Sequence, residues 1–228
     1  MSSSNQTLPI SVSAISQSPL AFFEATSTLE TRARSWHLDV MDGHFVPRLG
    51  LYPEFIREIA DRSELPITVH LMAQRPEPFI GDLVRSGATR ICFHVESTQH
   101  PHRIAELIKA QGVEVGVALN PGTSLSVLDH LTEGLSSITL MAINPGIVGH
   151  EFIPSTMAKI SQLRRYLFEN TTNTVPEIEV DGGVTFANAL QIIQAGADSL
   201  VCGAGTVFAK GRPLSENLNR LEAVLENN

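Results

Sequence analysis

Two histidines and two aspartates stand near the ends of three apolar segments of the sequence. His37 and Asp39 lie two residues apart, His70 lies in a second segment, and Asp181 closes a third. Imidazole nitrogens and carboxylate oxygens bind Zn²⁺, Fe²⁺ or Mn²⁺, and a carboxylate can also move a proton. These residue types predict a divalent-metal site with built-in acid/base groups, and the spacing leaves the choice of metal open.

Strand parity predicts that the four side chains point into one space. Residues two apart in a β-strand share a face, so His37 and Asp39 point together while Leu38 faces the other way. His70 and Asp181 alternate with apolar neighbours in the same manner. Because a buried carboxylate is costly unless it is paired or coordinated, the alternative to a metal site is a buried hydrogen-bond network.

The elements that must position these residues are eight short apolar runs that alternate with helix-like segments. The predicted strands are 10–14, 36–40, 67–71, 91–95, 115–119, 138–143, 178–181 and 199–202, and the predicted helices include 53–60, 78–86, 102–111, 156–169, 186–195 and 214–225. Strict alternation implies a parallel sheet, and eight units suit a closed barrel better than an open sheet. We therefore expect an α/β protein with a single (β/α)₈ TIM barrel over residues 9–228, behind a disordered tail over residues 1–8.

Composition narrows the function classes. The chain has 228 residues, 43% of them hydrophobic, with a net charge of -8 and a pI near 5.4. This acidity disfavours a nucleic-acid partner, and no apolar run is long enough to span a membrane. The start of the chain lacks the basic residues of a signal peptide, so a cytoplasmic protein is expected. Cys92 and Cys202 are interpreted as core residues.

Glycine-rich segments follow the last three predicted strands. They contain Gly146 and Gly149, then Gly182 and Gly183, and finally Gly203-Ala204-Gly205. Each could be a tight turn. Together they predict a phosphate cradle, because glycine lets backbone N–H groups approach an anion and barrels of this kind often bind phosphate after strands seven and eight.

Ser13, His94 and Met141 have parity that would line the same pocket, whereas Asp42 lies where its strand ends and parity no longer applies. For His94 an ordinary pocket wall is favoured over ligation, and Asp42 is interpreted as the anchor of a turn. The methionines near the strand ends, Met41, Met72 and Met141, are either core filler or substrate contacts.

The sequence resembles the ribulose-phosphate 3-epimerases. The resemblance runs nearly end to end, and the motifs that carry it are His37-Leu38-Asp39-Val40-Met41-Asp42-Gly43-His44-Phe45-Val46-Pro47, Val69–Met72, Leu119–Thr123, Asn144–Gly146 and Glu179–Gly183. It implies a barrel of the ribulose-phosphate-binding type, a homo-oligomer, and metal-dependent conversion of D-ribulose 5-phosphate to D-xylulose 5-phosphate in the pentose phosphate pathway.

The resemblance also implies roles for individual residues. It makes His37, Asp39, His70 and Asp181 the metal ligands, with Asp39 and Asp181 as the catalytic pair that moves the C3 proton through an enediolate. The residues expected to bind substrate are Ser13, His70, Met41, Met72, Met141, Gly146, Gly149, Gly182, Gly183, Gly203 and Ala204.

The sequence departs from the family pattern at several positions, one of them in the segment expected to bind phosphate. Ile147-Val148 replaces a Phe-Gly pair, Arg48 replaces a common Asn, Ile15 replaces an Asp, and Gly203-Ala204-Gly205 is longer, as in allulose-6-phosphate 3-epimerases. These changes bear on the sugar, so a 3-epimerase of another ketose phosphate is one alternative and a non-catalytic sugar-phosphate-binding barrel is another. A phosphate-binding decarboxylase is disfavoured, because its chemistry needs no paired aspartates on one metal.

Overall fold

Eight parallel strands close into a barrel in chain order. The computed structural model describes residues 7–16, 22, 26–147, 149–171 and 173–226. The strands are β1 (Ile10–Ser13), β2 (Ser35–Met41), β3 (Ile67–Met72), β4 (Arg90–His94), β5 (Glu114–Leu119), β6 (Ser137–Met141), β7 (Glu177–Asp181) and β8 (Ser199–Cys202). Since β1 pairs with both β2 and β8, the sheet has closed on itself, and the predicted TIM barrel is confirmed.

The helices surround this barrel. Those that lie wholly within the described residues are α1 (Pro53–Ala60), α2 (Glu77–Arg85), α3 (Pro101–Lys109), α4 (Ser155–Asn170), α5 (Ala189–Gln194) and α6 (Leu214–Glu226). The connection from β5 to β6 carries a 3₁₀ helix, Leu125–Leu128, so the strict alternation of strand and helix fails there. The N–H groups of Leu131 and Leu135 bond carbonyls three residues earlier, which makes this segment a series of tight turns.

Proline and an apolar face explain why α1 begins and packs as it does. Pro53 opens the helix, where no backbone N–H is needed, and Glu54 in the first turn complements the helix dipole. Phe55, Ile56 and Ile59 are buried on one side. The helix thereby covers the outer surface of the barrel and leaves the strand ends free for other groups.

The two faces of each strand enter different environments. Trp36, Leu38 and Val40 of β2 belong to the large apolar cluster between barrel and helices, whereas His37 and Asp39 are buried inside the barrel. This is the parity that the sequence predicts. Cys92 and Cys202 are free and fully buried, which confirms them as core residues.

Most predicted boundaries shift by one or two residues, and two further differences have a structural reason. The helix expected from residue 186 begins at Ala189, because Asn188 accepts from the Thr185 N–H and donates to the Gly183 carbonyl, which shapes a turn. Residues 1–6 of the predicted tail lie outside the described residues. Leu8, assigned to that tail, is buried and its N–H bonds a backbone carbonyl, so the packed chain includes it. In the described ranges, no helix combines the length and apolarity of a membrane span.

Candidate metal centre

His37, Asp39, His70 and Asp181 converge at the C-terminal mouth of the barrel. Strands β2 and β3 pair with Asp39 opposite His70, so these two side chains are neighbours by register. His37 lies two residues before Asp39 on β2, and Asp181 ends β7. One ligand atom from each residue falls within 4.8 Å of all the others. The structure therefore brings together the four side chains that the sequence singles out.

The separations within this cluster suit a small divalent cation. His37 Nε2 and His70 Nδ1 are 3.2 Å apart, and each lies 3.3–3.7 Å from the nearer oxygens of Asp39 and Asp181. Metal bonds of about 2.0–2.2 Å in a tetrahedron place ligand atoms about 3.3–3.6 Å apart. The donor set of two nitrogens and two carboxylate oxygens thus fits a divalent metal in both chemistry and spacing.

The electrostatics of the cluster favour positive charge in its centre. Burial by itself raises the pKa of Asp39, but hydrogen bonds from His37 and His70 hold that pKa well below its usual range. Burial lowers the pKa of His37, yet the nearby Glu179 and Asp39 raise it overall, and Asp181 and Asp39 do the same for His70. A field that stabilises protons on imidazole also stabilises a metal cation, because both bring positive charge to the same atoms.

Glu179 is a buried carboxylate to which the sequence analysis assigned no role. It is 2% exposed, and its Oε2 lies 3.3 Å from His37 Nδ1. Ser11 and Thr139 donate hydroxyl protons to its two oxygens. Burial raises the pKa of Glu179, but the charge of His37 and these contacts lower it to about 2. Strand parity could have identified this residue, because Glu179 lies two residues before Asp181 on β7 and shares its face.

His94 lines no open wall of the pocket, contrary to the expectation. It is fully buried, and its Nε2 lies 2.9 Å from His70 Nε2. The ring stacks on that of His70 with centroids 5.0 Å apart, and its Nδ1 lies 3.1 Å from Glu96 Oε2. Burial lowers the pKa of His94 to about 4, so the ring is neutral at ordinary pH. His94 therefore supports His70, a residue of the cluster, through its contact with Nε2 of that ring.

A cleft of about 780 Å³ opens above the cluster. Asp39 and Asp181 reach its floor, whereas His37 and His70 are fully buried beneath it. The predicted substrate-binding residues that line the cleft are Ser13, Met41, Met72, Met141, Gly146, Gly149, Gly182, Gly183, Gly203 and Ala204. The two aspartates are therefore the part of the cluster that a molecule in the cleft could touch.

The three methionines of the predicted substrate site are buried, and they also line the cleft. Met41, Met72 and Met141 are at most 8% exposed, and all three line the cleft. Met41 and Met72 pack with Val46 in a small apolar cluster. They are buried filler that also forms an apolar wall beside the aspartates.

The loop after β7 requires its two glycines. Gly182 and Gly183 have φ values of 101° and 65°, in the left-handed region that other residues rarely adopt. A Cβ at Gly183 would lie 2.7 Å from the backbone nitrogen of Phe152. The glycines are therefore required by the conformation and close packing of this loop, which lines the cleft, and the phosphate cradle stays a prediction.

The departures from the family pattern lie around the same cleft. Ile15, Arg48, Ile147 and the segment Gly203-Ala204-Gly205 all line it, while Val148 lies outside the described residues. Asp42 does not take part. Its carboxylate accepts from the N–H groups of His44, Phe45 and Gln74, which confirms its interpretation as the anchor of a turn.

Fold and cluster together define a class: barrel proteins whose strand ends can hold a divalent cation beside an open, glycine-rimmed cleft. Solved structures support the barrel alone. N-(5'-phosphoribosyl)anthranilate isomerase from Pyrococcus furiosus matches with a TM-score of 0.67 at 16% identity, over 96% of this chain and 98% of that one. A mutant tryptophan synthase alpha-subunit from the same organism matches with a TM-score of 0.66 at 14% identity, over 94% and 95%.

Sequence comparison identifies the family within that class. The model of the ribulose-phosphate 3 epimerase family matches residues 9–208, and the chain belongs to this family. It is 42% identical to the chloroplastic ribulose-5-phosphate-3-epimerase of Arabidopsis thaliana, over 82% of this chain and 67% of the relative. It is 41% identical to ribulose-phosphate 3-epimerase of Bacillus subtilis, over 74% and 77%.

Proposed function

We propose that this protein is a divalent-metal-dependent ribulose-phosphate 3-epimerase that interconverts D-ribulose 5-phosphate and D-xylulose 5-phosphate. One observation carries the proposal. Asp39 on β2 and Asp181 on β7 belong to the same cluster of ligand atoms, and both line the cleft. Family membership and about 40% identity to named epimerases support the substrate.

Epimerisation beside a ketone needs two acid/base groups, because a proton leaves one face of a carbon and another arrives on the opposite face. The carboxylate of one aspartate takes the C3 proton, while the carboxylic acid of the other returns a proton from across the cleft. Each turnover leaves the two protonation states exchanged, so the pair serves both directions. A divalent cation bound by His37, Asp39, His70 and Asp181 supplies Lewis-acid stabilisation of the negative charge that develops beside the ketone.

The remaining cleft residues position the sugar phosphate. Backbone N–H groups of the glycine loops after β6, β7 and β8 hold the phosphate, which suits an acidic protein. Ser13 donates to Asp39 Oδ2 at 3.2 Å and so helps to orient that carboxylate. Met41, Met72 and Met141 offer no exchangeable protons, and they exclude water from the side of the reacting carbon.

A second candidate within the same reaction type is a 3-epimerase of another ketose phosphate, such as allulose 6-phosphate. Ala204 and Ile147 favour it, because both line the cleft at positions where the family pattern differs.

One kinetic panel tests these proposals. Protein stripped of metal and reloaded with Zn²⁺, Fe²⁺ or Mn²⁺ is assayed with ketose phosphates of four to six carbons, and exchange of the C3 proton with solvent is followed by NMR. Highest kcat/KM for D-ribulose 5-phosphate supports the proposal, and highest kcat/KM for a six-carbon substrate replaces it with the second candidate. No turnover of any substrate with any metal would contradict the proposal and favour the non-catalytic sugar-phosphate-binding barrel. The native metal, homo-oligomeric assembly and a cytoplasmic location stay predictions.

A further inference from the structure

The two imidazoles of the cluster use different ring nitrogens, and each has a polar group behind it. His37 turns Nε2 toward the aspartates, and its Nδ1 lies 3.3 Å from Glu179 Oε2. His70 turns Nδ1 toward the aspartates, and its Nε2 lies 2.9 Å from His94 Nε2. A ring nitrogen binds metal only without its proton, so the proton of each ring must lie on the far nitrogen.

Glu179 is held so that it can only accept from His37. Ser11 donates to Oε1 at 2.6 Å, and Thr139 donates to Oε2 at 3.1 Å. Because both oxygens accept from hydroxyl groups, the carboxylate acts only as an acceptor. Among the described residues His37 Nδ1 makes no hydrogen bond of regular geometry, but Glu179 Oε2 lies 3.3 Å from it, so the carboxylate attracts a proton on Nδ1 and would repel a bare lone pair there. This arrangement leaves the lone pair of His37 on Nε2, toward the cluster.

Glu96 does the same for His70 through one intervening ring. It lies in the 3₁₀ turn after β4, where its Oε1 accepts from the Asn120 N–H at 2.7 Å and from the Thr123 hydroxyl. Its Oε2 lies 3.1 Å from His94 Nδ1, which places the proton of His94 on that nitrogen. His94 Nε2 is then an acceptor for the Nε2 proton of His70, so the lone pair of His70 is on Nδ1.

We propose that Glu179 and Glu96 are positioning residues that set the tautomers of the two histidine ligands, Glu179 directly on His37 and Glu96 through His94 on His70. The inference rests on the proposed function, because it assumes that the cluster binds a divalent cation. The two carboxylates approach from different sides: Glu179 from within the barrel and Glu96 from its rim. Each ring is thus fixed both in orientation and in the nitrogen that it offers.

Matched glutamate-to-glutamine variants test this proposal. Glutamine keeps the size of the side chain, but its NH₂ group faces a hydroxyl or a ring N–H that is also a donor. Glu177→Gln is the control, because Glu177 lies two residues earlier on the same face of β7 and pairs with Arg90 at 3.2 Å rather than with a cluster residue. All variants are made in the full chain, and folding is checked by circular dichroism.

The first readout is the affinity for Co²⁺, measured by competition with a chromophoric chelator. Loss of such an outer partner weakens metal binding by about 10–100-fold. We expect Glu179→Gln to approach the upper end of that range and Glu96→Gln to lie near the lower end, since Glu96 acts through His94. Glu177→Gln should bind like the wild type. Equal affinity of Glu179→Gln, Glu96→Gln and Glu177→Gln would overturn the inference.

The second readout is nitrogen-15 NMR of the zinc-loaded wild type. The expected spectrum has zinc on Nε2 of His37 with a proton on Nδ1, and zinc on Nδ1 of His70 with a proton on Nε2. The opposite nitrogens would overturn the inference even if Glu179→Gln failed to fold. Wild-type protein that binds neither Co²⁺ nor Zn²⁺ would overturn the proposed function as well, whereas normal metal binding and turnover in both variants would overturn the inference alone.

Discussion

The two ends of the barrel both concentrate charge, but their acidic groups have different partners. The ion pairs at the N-terminal opening are Arg34–Glu177, Arg90–Glu114, Arg90–Glu177 and Arg164–Asp198. At the C-terminal opening, Asp39 and Asp181 contact the imidazoles of His37 and His70. Among the described residues, neither of these aspartates forms an ion pair with lysine or arginine.

Arginine and histidine differ as partners of a carboxylate in whether they can release a proton. A guanidinium keeps its proton and only donates, so a carboxylate paired with it stays neutralised and has no role in proton transfer. An imidazole can lose its proton and present a lone pair, so a carboxylate beside it can share a metal. Similar side chains are therefore structural at one end of the barrel and available for chemistry at the other.

The largest effect should come from removing a carboxylate at the C-terminal opening. In Asp39→Asn and Asp181→Asn, an amide cannot take up or deliver the C3 proton, so we expect solvent exchange of that proton to fall by about 10³-fold or more. NMR of D-ribulose 5-phosphate in deuterated water measures the exchange. Asp198→Asn makes the same change at the other end and should exchange normally. Near-normal exchange in an Asp39 or Asp181 variant would remove that residue from the mechanism.

Metal removal should affect activity and stability together. A chelator should abolish turnover, and adding back a divalent metal should restore it. A ligand at about 100 times its Kd stabilises the folded state by about 2.7 kcal/mol, so the thermal midpoint should fall on chelation and recover on reloading. Differential scanning fluorimetry with and without metal measures this shift. Full turnover in metal-free protein would contradict the assignment of the cluster.

Removing ion pairs at the N-terminal opening should lower stability and leave turnover nearly unchanged. Arg90 has a side chain that is 19% exposed and pairs with Glu114 at 2.7 Å and Glu177 at 3.2 Å. In Arg90→Met these acids lose a partly buried partner, and we expect the free energy of unfolding to drop by about 1–3 kcal/mol with kcat within about twofold of wild type. Urea unfolding and steady-state kinetics measure the two quantities. A loss of kcat without a loss of stability would erase the contrast between the two ends.

The smallest effect is expected for the two buried thiols. Burial raises the pKa of Cys92 and that of Cys202 to about 12. Because the thiolate forms only in the unfolded chain, their contribution to stability is complete below the ordinary thiol pKa and declines as pH rises above it. At pH 8 the native protein should show no labelling by a disulfide reagent, while urea-unfolded protein should show two labelled thiols. Rapid labelling of the native protein would show that the packing around one of these buried residues opens.

Strand alternation was enough to predict the barrel and the four cluster residues. His37, Asp39, His70 and Asp181 each follow the rule that polar residues on an apolar strand share the inner face, and the rule needs no knowledge of loops. Glu179 obeys the same rule, but parity alone does not tell a ligand from a residue one layer deeper.

The residues that support the cluster reach it through contacts across the barrel or between its loops. Glu96 follows the end of β4, and its contact with Thr123 depends on how two loops fold against each other. Ser11 on β1 donates to Glu179 on β7, 168 residues away along the chain. No local pattern of residues encodes such a contact, so these parts of the site could be found only from the folded chain.

The register between β2 and β3 makes the cluster a check on correct folding. Asp39 faces His70 only in the native pairing, and a slip of one residue would turn Leu71 or Val69 toward the barrel interior in place of the histidine. Such a chain would have two donors on one strand and none on the next. Metal binding would then stabilise only chains in which β2 and β3 have paired in the native register. The residues proposed for catalysis would thus also favour correct assembly of the barrel.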